Sequence, residues 1–166
     1  CGPYKCPRNQ KDCFFDVSKK YFFYLSFENA FSKDYLTEKI FRTLNYPILP
    51  IVLGTANYTQ LLPPNSFIDA TKYRPGELAE FVENLINNKT AYLKYFEWKR
   101  NYRVLGDRHT NDNMICEACK YLHDFKAGKI PRKSIKFSTI NRFWKSTCWK
   151  NERVEALYKD KLPTLS

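Results

Sequence analysis

The stretch SFENAFSKDYLTEK, residues 26–39, decides how this sequence folds. An aromatic run, YFFYL at residues 21–25, leads into it and is typical of a buried strand. A polar loop follows, and Asp34 is predicted to be the N-cap of a helix that begins at Tyr35. In α/β folds, the loop and the helix N-terminus that follow a parallel strand form a place where nucleotides bind. The stretch therefore predicts a nucleotide site at the carboxyl edge of a sheet.

The residue types on this helix and its loop suit such a site. Lys39 can neutralise a diphosphate, Glu38 can accept hydrogen bonds from ribose hydroxyls, and Tyr35 can stack or donate. The amide of Asn29 can both donate and accept. The competing interpretation is an amphipathic surface helix with an i,i+4 pair between Glu38 and Arg42, which periodicity alone favours. At about 100° per residue, one face carries Tyr35, Glu38, Lys39 and Arg42, and the other carries Leu36, Ile40, Phe41 and Leu44.

Two more strands are predicted after this helix. Residues 48–53 are continuously apolar and β-branched, which is typical of a parallel strand buried on both faces. Residues 57–64 read as a loop, and residues 66–69 as a short strand. Asp69, at the end of that strand, is predicted either to contact a ligand or to cap a turn. The pattern indicates an α/β fold with a Rossmann-like parallel sheet and flanking helices.

The remaining segments are predicted to be mostly helical. Residues 1–16 read as a loop, Pro75 is placed at the first position of a helix, and Thr90 is a candidate cap for the next one. Further helices are expected near residues 112–125 and after Thr139. Four aromatic side chains are expected to pack in the core rather than to form a sugar platform: Tyr92, Tyr95, Phe96 and Trp98.

Composition limits the class of protein. With 166 residues, 43% of them hydrophobic and 17% aromatic, the chain can form one domain with a real core and is not a disordered segment. The net charge of +11 suits a polyanionic partner, either a nucleotide diphosphate or a larger polyanion. The alternative to a nucleotide-binding enzyme is therefore a non-catalytic secreted module. Such a module would bind an anionic glycan or nucleic acid through a basic surface. The basic residues are spread along the chain without a nucleic-acid motif, so nucleic acid is not the expected partner.

Cysteines and sequons indicate an oxidising compartment. The sequons are Asn57-Tyr58-Thr59 and Asn88-Lys89-Thr90, which makes Asn57 and Asn88 candidate N-glycosylation sites. Only one true C-x-x-C is present, at residues 116–119, so a zinc site is less well supported than disulfide bonding. The disulfide candidates are Cys1, Cys6, Cys13, Cys116, Cys119 and Cys148, with no connectivity assigned.

The motif SFEN followed by KDYLTEK resembles the donor-binding motif of the α1,3-fucosyltransferases, glycosyltransferase family 10. The resemblance covers residues 21–98 well and the CEAC segment at residues 116–119 more loosely. It implies the GDP-fucose-binding, C-terminal half of a GT-B glycosyltransferase. Four further stretches match in the same order: PILPIVLG at residues 47–54, NY at 57–58, PNSFIDA at 64–70, and residues 78–98 ending in YLKYFEW.

The resemblance also implies a reaction and a site. Asn29, Tyr35, Glu38 and Lys39 match the residues that hold GDP-fucose in the family, and Ala30 stands where serine is common. The implied reaction is inverting transfer of fucose from GDP-fucose to N-acetylglucosamine of a glycan. No acidic residue of this chain matches the family's catalytic base, which is expected in an upstream N-terminal domain. The chain alone is therefore expected to bind the donor weakly and not to turn over.

Organisation and location follow from the same resemblance. Residues 1–20 are expected to be a cysteine-containing linker, residues 21–110 the donor-binding core, and residues 111–166 a helical region with the C-x-x-C. The chain begins with Cys1, so a preceding part with a type II membrane anchor is expected, with location on the lumenal side of the Golgi cisterna membrane. In the family the C-terminal C-x-x-C is disulfide-bonded, in many members to the N-terminal half.

Acceptor and metal remain open at this stage. Core N-glycans and outer N-acetyllactosamine are both possible acceptors, on a glycoprotein or a glycolipid. There is no Asp-x-Asp motif, so no tightly bound metal is expected, and stimulation by a divalent ion such as Mn²⁺ is left open.

Overall fold

The computed structural model of this chain describes residues 13–105, 107–131 and 137–159. The described residues up to Tyr102 and from Cys148 onward form one compact unit, and those from Arg103 to Thr147 form a second. The described residues from Cys148 onward therefore belong to the unit that contains the sheet.

Within the described residues, three parallel strands form one sheet in the order β1, β2, β3. They are β1 (Phe23–Phe27), β2 (Leu49–Leu53) and β3 (Ile68–Asp69), and their pairing confirms the predicted parallel α/β sheet. Residues 49–52 of β2 are all buried, as expected for a central parallel strand covered on both faces. The carboxyl ends of the three strands lie at one edge of the sheet, where the loops that follow them meet.

The helix between β1 and β2 begins later than predicted. Helix α2 spans Glu38–Leu44, and its N-cap is Thr37 rather than Asp34. Asp34 has a φ of 59°, the left-handed region, so it lies in a tight turn that a helix cannot include. Tyr35, predicted to be the first helical residue, consequently lies in the turn before the helix.

The segment expected to be a loop at the start of the chain contains a helix. Helix α1 spans Cys13–Lys20, and the rest of the expected loop lies outside the described residues. Phe14 is buried, with its ring centroid 4.9 Å from that of Tyr24 and 5.0 Å from that of Tyr46. Burial of this aromatic ring stabilises a helix that the local cysteine, glycine and proline content does not predict.

Short helices occupy the connections around β3. The predicted loop after β2 contains the four-residue helix α3 (Tyr58–Leu61), because the side chain of Asn57 accepts a hydrogen bond from the backbone of Gln60 and caps it. Helix α4 (Pro75–Asn87) starts with Pro75 at its first position, as predicted. Its successor α5 (Lys89–Lys94) is capped by the Asn88 side chain and not by Thr90, because Asn88 accepts from the backbone of Ala91. The 3₁₀ turns in this region are Ala70–Lys72 and Glu97–Arg100.

The core lies between the sheet and helices α4 and α5. Tyr92 and Trp98 are buried, which confirms that the aromatic residues of this region pack inside. The Tyr92 hydroxyl donates to the Phe22 carbonyl at 2.7 Å, and burial raises the pKa of Tyr92 to about 12. The buried members of the cluster are Leu49, Ile51, Ile68, Ala70, Leu85 and Tyr92.

The predicted C-terminal helices are present. Helix α6 (Asp107–Lys126) begins five residues before the predicted start at 112, and helix α7 spans Phe137–Thr147. Helix α8 (Asn151–Lys159) belongs to the unit that contains the sheet. In the part of the chain that the structure describes, no helix combines the length and the hydrophobicity needed to cross a membrane.

Candidate functional site

A buried carboxylate joins the end of β1 to the start of α2. Glu28 follows β1 directly, and its side chain is 1% exposed. The Thr37 backbone N–H donates to one carboxylate oxygen at 2.9 Å, and the Thr37 hydroxyl donates to the other at 2.8 Å. Since Thr37 forms no side-chain cap of its own among the described residues, Glu28 supplies the hydrogen-bond acceptor for this helix end.

The ammonium group of Lys39 lies beside this carboxylate. Its Nζ atom donates to the Phe27 carbonyl at 2.7 Å and also to Oδ1 of Asn29. The distance from Nζ to Oε2 of Glu28 is 3.8 Å. The Lys39 side chain remains 27% exposed, so its charge is held in place and is still accessible to an anion.

The structure brings together two of the four predicted site residues directly. Asn29 and Lys39 are hydrogen-bonded, and Asn29 is exposed. Glu38 is exposed as the first residue of α2, next to Lys39. Tyr35 is half-buried in the preceding turn, where its backbone N–H donates to the Ser32 carbonyl at 3.1 Å. All four side chains therefore belong to the segment between the end of β1 and the first turn of α2.

Sequence reasoning missed the role of Glu28. Within the SFEN motif, the acidity of Glu28 directly before Asn29 is the available sequence signal. Its partner, Thr37, is nine positions downstream, and a pairing across a loop of that length follows no local sequence rule.

Gly54 and Tyr58 pack behind the carboxylate. A methyl group added at Gly54 would clash with the Tyr58 hydroxyl and would lie 3.2 Å from Cγ of Glu28. The Tyr58 hydroxyl is buried and has no hydrogen-bond partner in the described part of the chain. Burial, together with the negative charges of Glu28 and Asp69, raises the pKa of Tyr58 above its ordinary value.

Asp69, predicted either to contact a ligand or to cap a turn, is the last residue of β3. One of its carboxylate oxygens accepts a hydrogen bond from the Thr71 backbone at 3.0 Å and one from the Thr71 hydroxyl at 2.6 Å. These bonds make Asp69 the cap of the turn that follows β3.

The predicted disulfide candidates fall into three groups. Cys13 is disulfide-bonded. Cys116 and Cys119 on α6 are exposed free thiols, and Cys148 is a half-buried free thiol. Cys1 and Cys6 lie outside the described residues.

Both predicted glycosylation sites are exposed, and both cap helices. Asn57 accepts hydrogen bonds from the Thr59 hydroxyl at 2.8 Å and the Gln60 backbone at 3.3 Å. Asn88 accepts from the Ala91 backbone at 3.0 Å. Glycosylation at Asn57 and Asn88 stays a prediction.

Across residues 13–105, 107–131 and 137–159, no cluster of three His, Cys, Asp or Glu residues is placed to hold a metal ion.

Comparison with known proteins identifies the family of this fold and site. The chain matches the model of "Glycosyltransferase family 10 (fucosyltransferase) C-term" over residues 1–137. It therefore belongs to glycosyltransferase family 10, a GT-B family, and the parallel sheet is part of that family's C-terminal domain.

Curated relatives agree with this assignment. The chain is 34% identical over 155 residues to "Alpha-(1,3)-fucosyltransferase C" of Drosophila melanogaster, covering 93% of this chain and 35% of that protein. It is 32% identical to "Alpha-(1,3)-fucosyltransferase fut-1" of Caenorhabditis elegans, with 91% and 36% covered. It is 38% identical to the human "4-galactosyl-N-acetylglucosaminide 3-alpha-L-fucosyltransferase 9", with 60% and 28% covered. The chain thus spans about a third of the length of these relatives.

Proposed function

We propose that this chain provides the donor site of an α1,3-fucosyltransferase, which transfers fucose from GDP-fucose to N-acetylglucosamine of a glycan. The observation that carries the proposal is the Lys39 ammonium, fixed at the carboxyl end of β1 and partly exposed beside Asn29. A family match over residues 1–137 and relatives with this activity in their names support it.

Each site residue has a role in this proposal. Lys39 neutralises the diphosphate and stabilises it as the leaving group when the glycosidic bond breaks. Glu38 accepts hydrogen bonds from the ribose hydroxyls, while Tyr35 and Asn29 contact the donor through a ring and an amide. With inversion at the anomeric carbon, a general base takes the proton of the acceptor hydroxyl. We assign that base to a carboxylate upstream of this chain, because none of its acidic residues matches the family's base.

The setting of the enzyme follows from the family and is proposed with it. Golgi location, a type II membrane anchor and a glycoprotein or glycolipid acceptor are typical of the family. The two sequons and the disulfide-bonded Cys13 are consistent with a lumenal, oxidising compartment. We expect no tightly bound metal, and fucose transfer with and without added Mn²⁺ measures whether a divalent ion stimulates the reaction.

The proposal is tested by nucleotide titration of the full-length protein. GDP is expected to bind more tightly than GMP, ADP or UDP, and Lys39→Ala is expected to weaken GDP binding about tenfold to a hundredfold. That range corresponds to about 1.5–3 kcal/mol for a charge-assisted contact. Lys39→Arg is expected to restore only part of the affinity, because a planar fork does not reproduce a point charge.

Transfer of fucose to an N-acetylglucosamine-containing acceptor is measured on the same variants. A Lys39→Ala protein with wild-type affinity for GDP and wild-type transfer would contradict the assigned role of Lys39. Equal binding of all four nucleotides would contradict a GDP-selective donor site.

A further inference from the structure

We propose that Glu28 is a positioning residue for donor binding: its carboxylate ties the end of β1 to the first turn of α2 and thereby fixes the Lys39 ammonium. This inference rests on the proposed function, in which Lys39 neutralises the diphosphate of GDP-fucose. Glu28 itself does not reach the donor, because its side chain is 1% exposed.

The tie consists of two hydrogen bonds from one residue. The backbone N–H and the hydroxyl of Thr37 each donate to a different oxygen of Glu28, at 2.9 Å and 2.8 Å. Helix α2 has seven residues, too few to be stable without tertiary contacts. The place where the helix begins is therefore set by the position of the Glu28 carboxylate.

Lys39 depends on this placement because it lies in the first turn of α2. Its Nζ atom contacts three consecutive residues at the end of β1. It donates to the Phe27 carbonyl and the Asn29 amide oxygen, and it lies 3.8 Å from the Glu28 carboxylate. A lysine side chain loses rotational freedom when it is fixed, and that loss has a free-energy cost. Fixing it before the donor arrives removes that cost from the binding step.

The packing behind Glu28 holds the carboxylate in a single place. Gly54 leaves only enough room for the Glu28 stem, since an added methyl group would lie 3.2 Å from Cγ and 3.5 Å from Cβ. Tyr58 is 4% exposed, and its hydroxyl would clash with the same added methyl group. The Glu28 backbone N–H donates to the Leu53 carbonyl at 2.9 Å, so the backbone at position 28 is held by the sheet edge and cannot shift freely to bring a shorter side chain to Thr37.

Glu28 positions Lys39 through its hydrogen bonds with Thr37 and not through its negative charge. Nζ of Lys39 lies 3.8 Å from the carboxylate, beyond hydrogen-bond distance, whereas both Thr37 donors lie within hydrogen-bond distance of it. The carboxylate charge also opposes the approach of a diphosphate. Side-chain length at position 28 should therefore matter more than charge.

Two substitutions separate length from charge. Glu28→Gln keeps the length and an acceptor for the Thr37 N–H, whereas Glu28→Asp keeps the charge but is one methylene shorter. In full-length protein, Glu28→Gln is expected to bind GDP within about fivefold of wild type. Glu28→Asp is expected to lose about tenfold or more. Thr37→Val, which removes only the hydroxyl, is expected to fall between them.

Kinetics and a double-mutant cycle distinguish positioning from a general loss of structure. The kcat/KM for GDP-fucose is expected to fall with GDP affinity, while the KM for the acceptor stays unchanged. In a Lys39→Ala background, Glu28→Asp is expected to have no further effect on GDP affinity, because its effect acts through Lys39.

Each result decides a separate question. Glu28→Asp with wild-type GDP affinity, or an effect that adds fully to that of Lys39→Ala, overturns the proposal. If Glu28→Asp does not fold, Thr37→Val carries the test, and wild-type affinity in that variant overturns the proposal. A Lys39→Ala protein that binds GDP normally overturns the donor-site assignment and this inference together. Weak GDP binding by Lys39→Ala with normal binding by the position 28 variants overturns this inference alone.

Discussion

Tyr58 and Tyr92 are two buried tyrosines whose hydroxyl groups differ in hydrogen bonding. They are 4% and 9% exposed, respectively. The Tyr92 hydroxyl donates to the Phe22 carbonyl at 2.7 Å, whereas the Tyr58 hydroxyl has no hydrogen-bond partner among the described residues. A buried hydroxyl without a partner loses its hydration and gains nothing in return. The two residues therefore form a matched pair in which the same substitution should have opposite effects.

Tyr58→Phe is expected to raise the free energy of unfolding by about 1 kcal/mol, because it removes an unsatisfied buried hydroxyl. Tyr92→Phe is expected to lower the free energy of unfolding by about 1 kcal/mol, because it removes the hydrogen bond from the Tyr92 hydroxyl to the Phe22 carbonyl, which then keeps only its bond from the Leu49 backbone N–H. Urea unfolding of both variants beside wild type measures the difference. Destabilisation by both substitutions would show that the Tyr58 hydroxyl finds a partner in solution.

Strand β2 ends beside Glu28, and Gly54 directly after the strand leaves the space that the Glu28 and Tyr58 side chains occupy. Gly54 follows β2, and an added methyl group there would clash with the Tyr58 hydroxyl. Gly76, in the first turn of α4, has no atom within 4 Å of such a methyl group. The two glycines provide a test of whether the space at the end of β2 matters for the site.

Gly54→Ala is expected to lower the free energy of unfolding by about 1–3 kcal/mol through overpacking, and to weaken GDP binding by shifting Glu28. Gly76→Ala is expected to raise stability by about 0.5–1 kcal/mol, because alanine suits a helix better than glycine. Unfolding midpoints and GDP titration of both variants provide the measurement.

A double substitution locates the clash. In a Tyr58→Phe background the hydroxyl that obstructs the new methyl group is absent, so Gly54→Ala is expected to be less damaging there. An equal cost of Gly54→Ala in both backgrounds would contradict the close approach between these two positions.

The elements that could be predicted from the sequence are those with a local signal. Residues 48–53 are continuously apolar, and the strand β2 formed where that run predicted it. Pro75 marks the start of α4 because its fixed φ suits the first helical position. The start of α2 was wrong by three residues because its acceptor is Glu28, nine residues before Thr37 and across a loop. Helix α1 was missed because burial of Phe14 against other elements stabilises it.

The candidate site likewise contains residues that the sequence motif predicts and supporting residues that it does not. Asn29 and Lys39 were predicted as site residues from the motif, and the structure brings them into contact. The supporting residues Glu28, Gly54 and Tyr58 come from three separate places in the chain and meet only in the fold. Their relation depends on the sheet register and the packing of loops, which leave no periodic pattern in the sequence.

The net charge of +11 acts on every anion that approaches the protein, whatever its chemistry. Such long-range attraction is screened over a Debye length of about 10 Å at 0.1 M salt. Lys39 acts differently, because its side chain is only 27% exposed and its Nζ atom is hydrogen-bonded in place. Its contact with a diphosphate should be screened much less than the general attraction. Salt dependence therefore separates the effect of total charge from the effect of the site.

Lys120 provides the matched control, because it is an exposed residue of α6 and its replacement by alanine removes the same single charge. Raising salt from about 50 to 200 mM is expected to weaken the binding of ADP and UDP, which sense mainly net charge. The ratio of GDP affinities between wild type and Lys39→Ala is expected to change by less than about threefold over that range. Lys120→Ala is expected to match wild type at the higher salt. If Lys120→Ala weakens GDP binding as much as Lys39→Ala, and salt removes both effects, then the positive charge of the protein alone attracts the nucleotide.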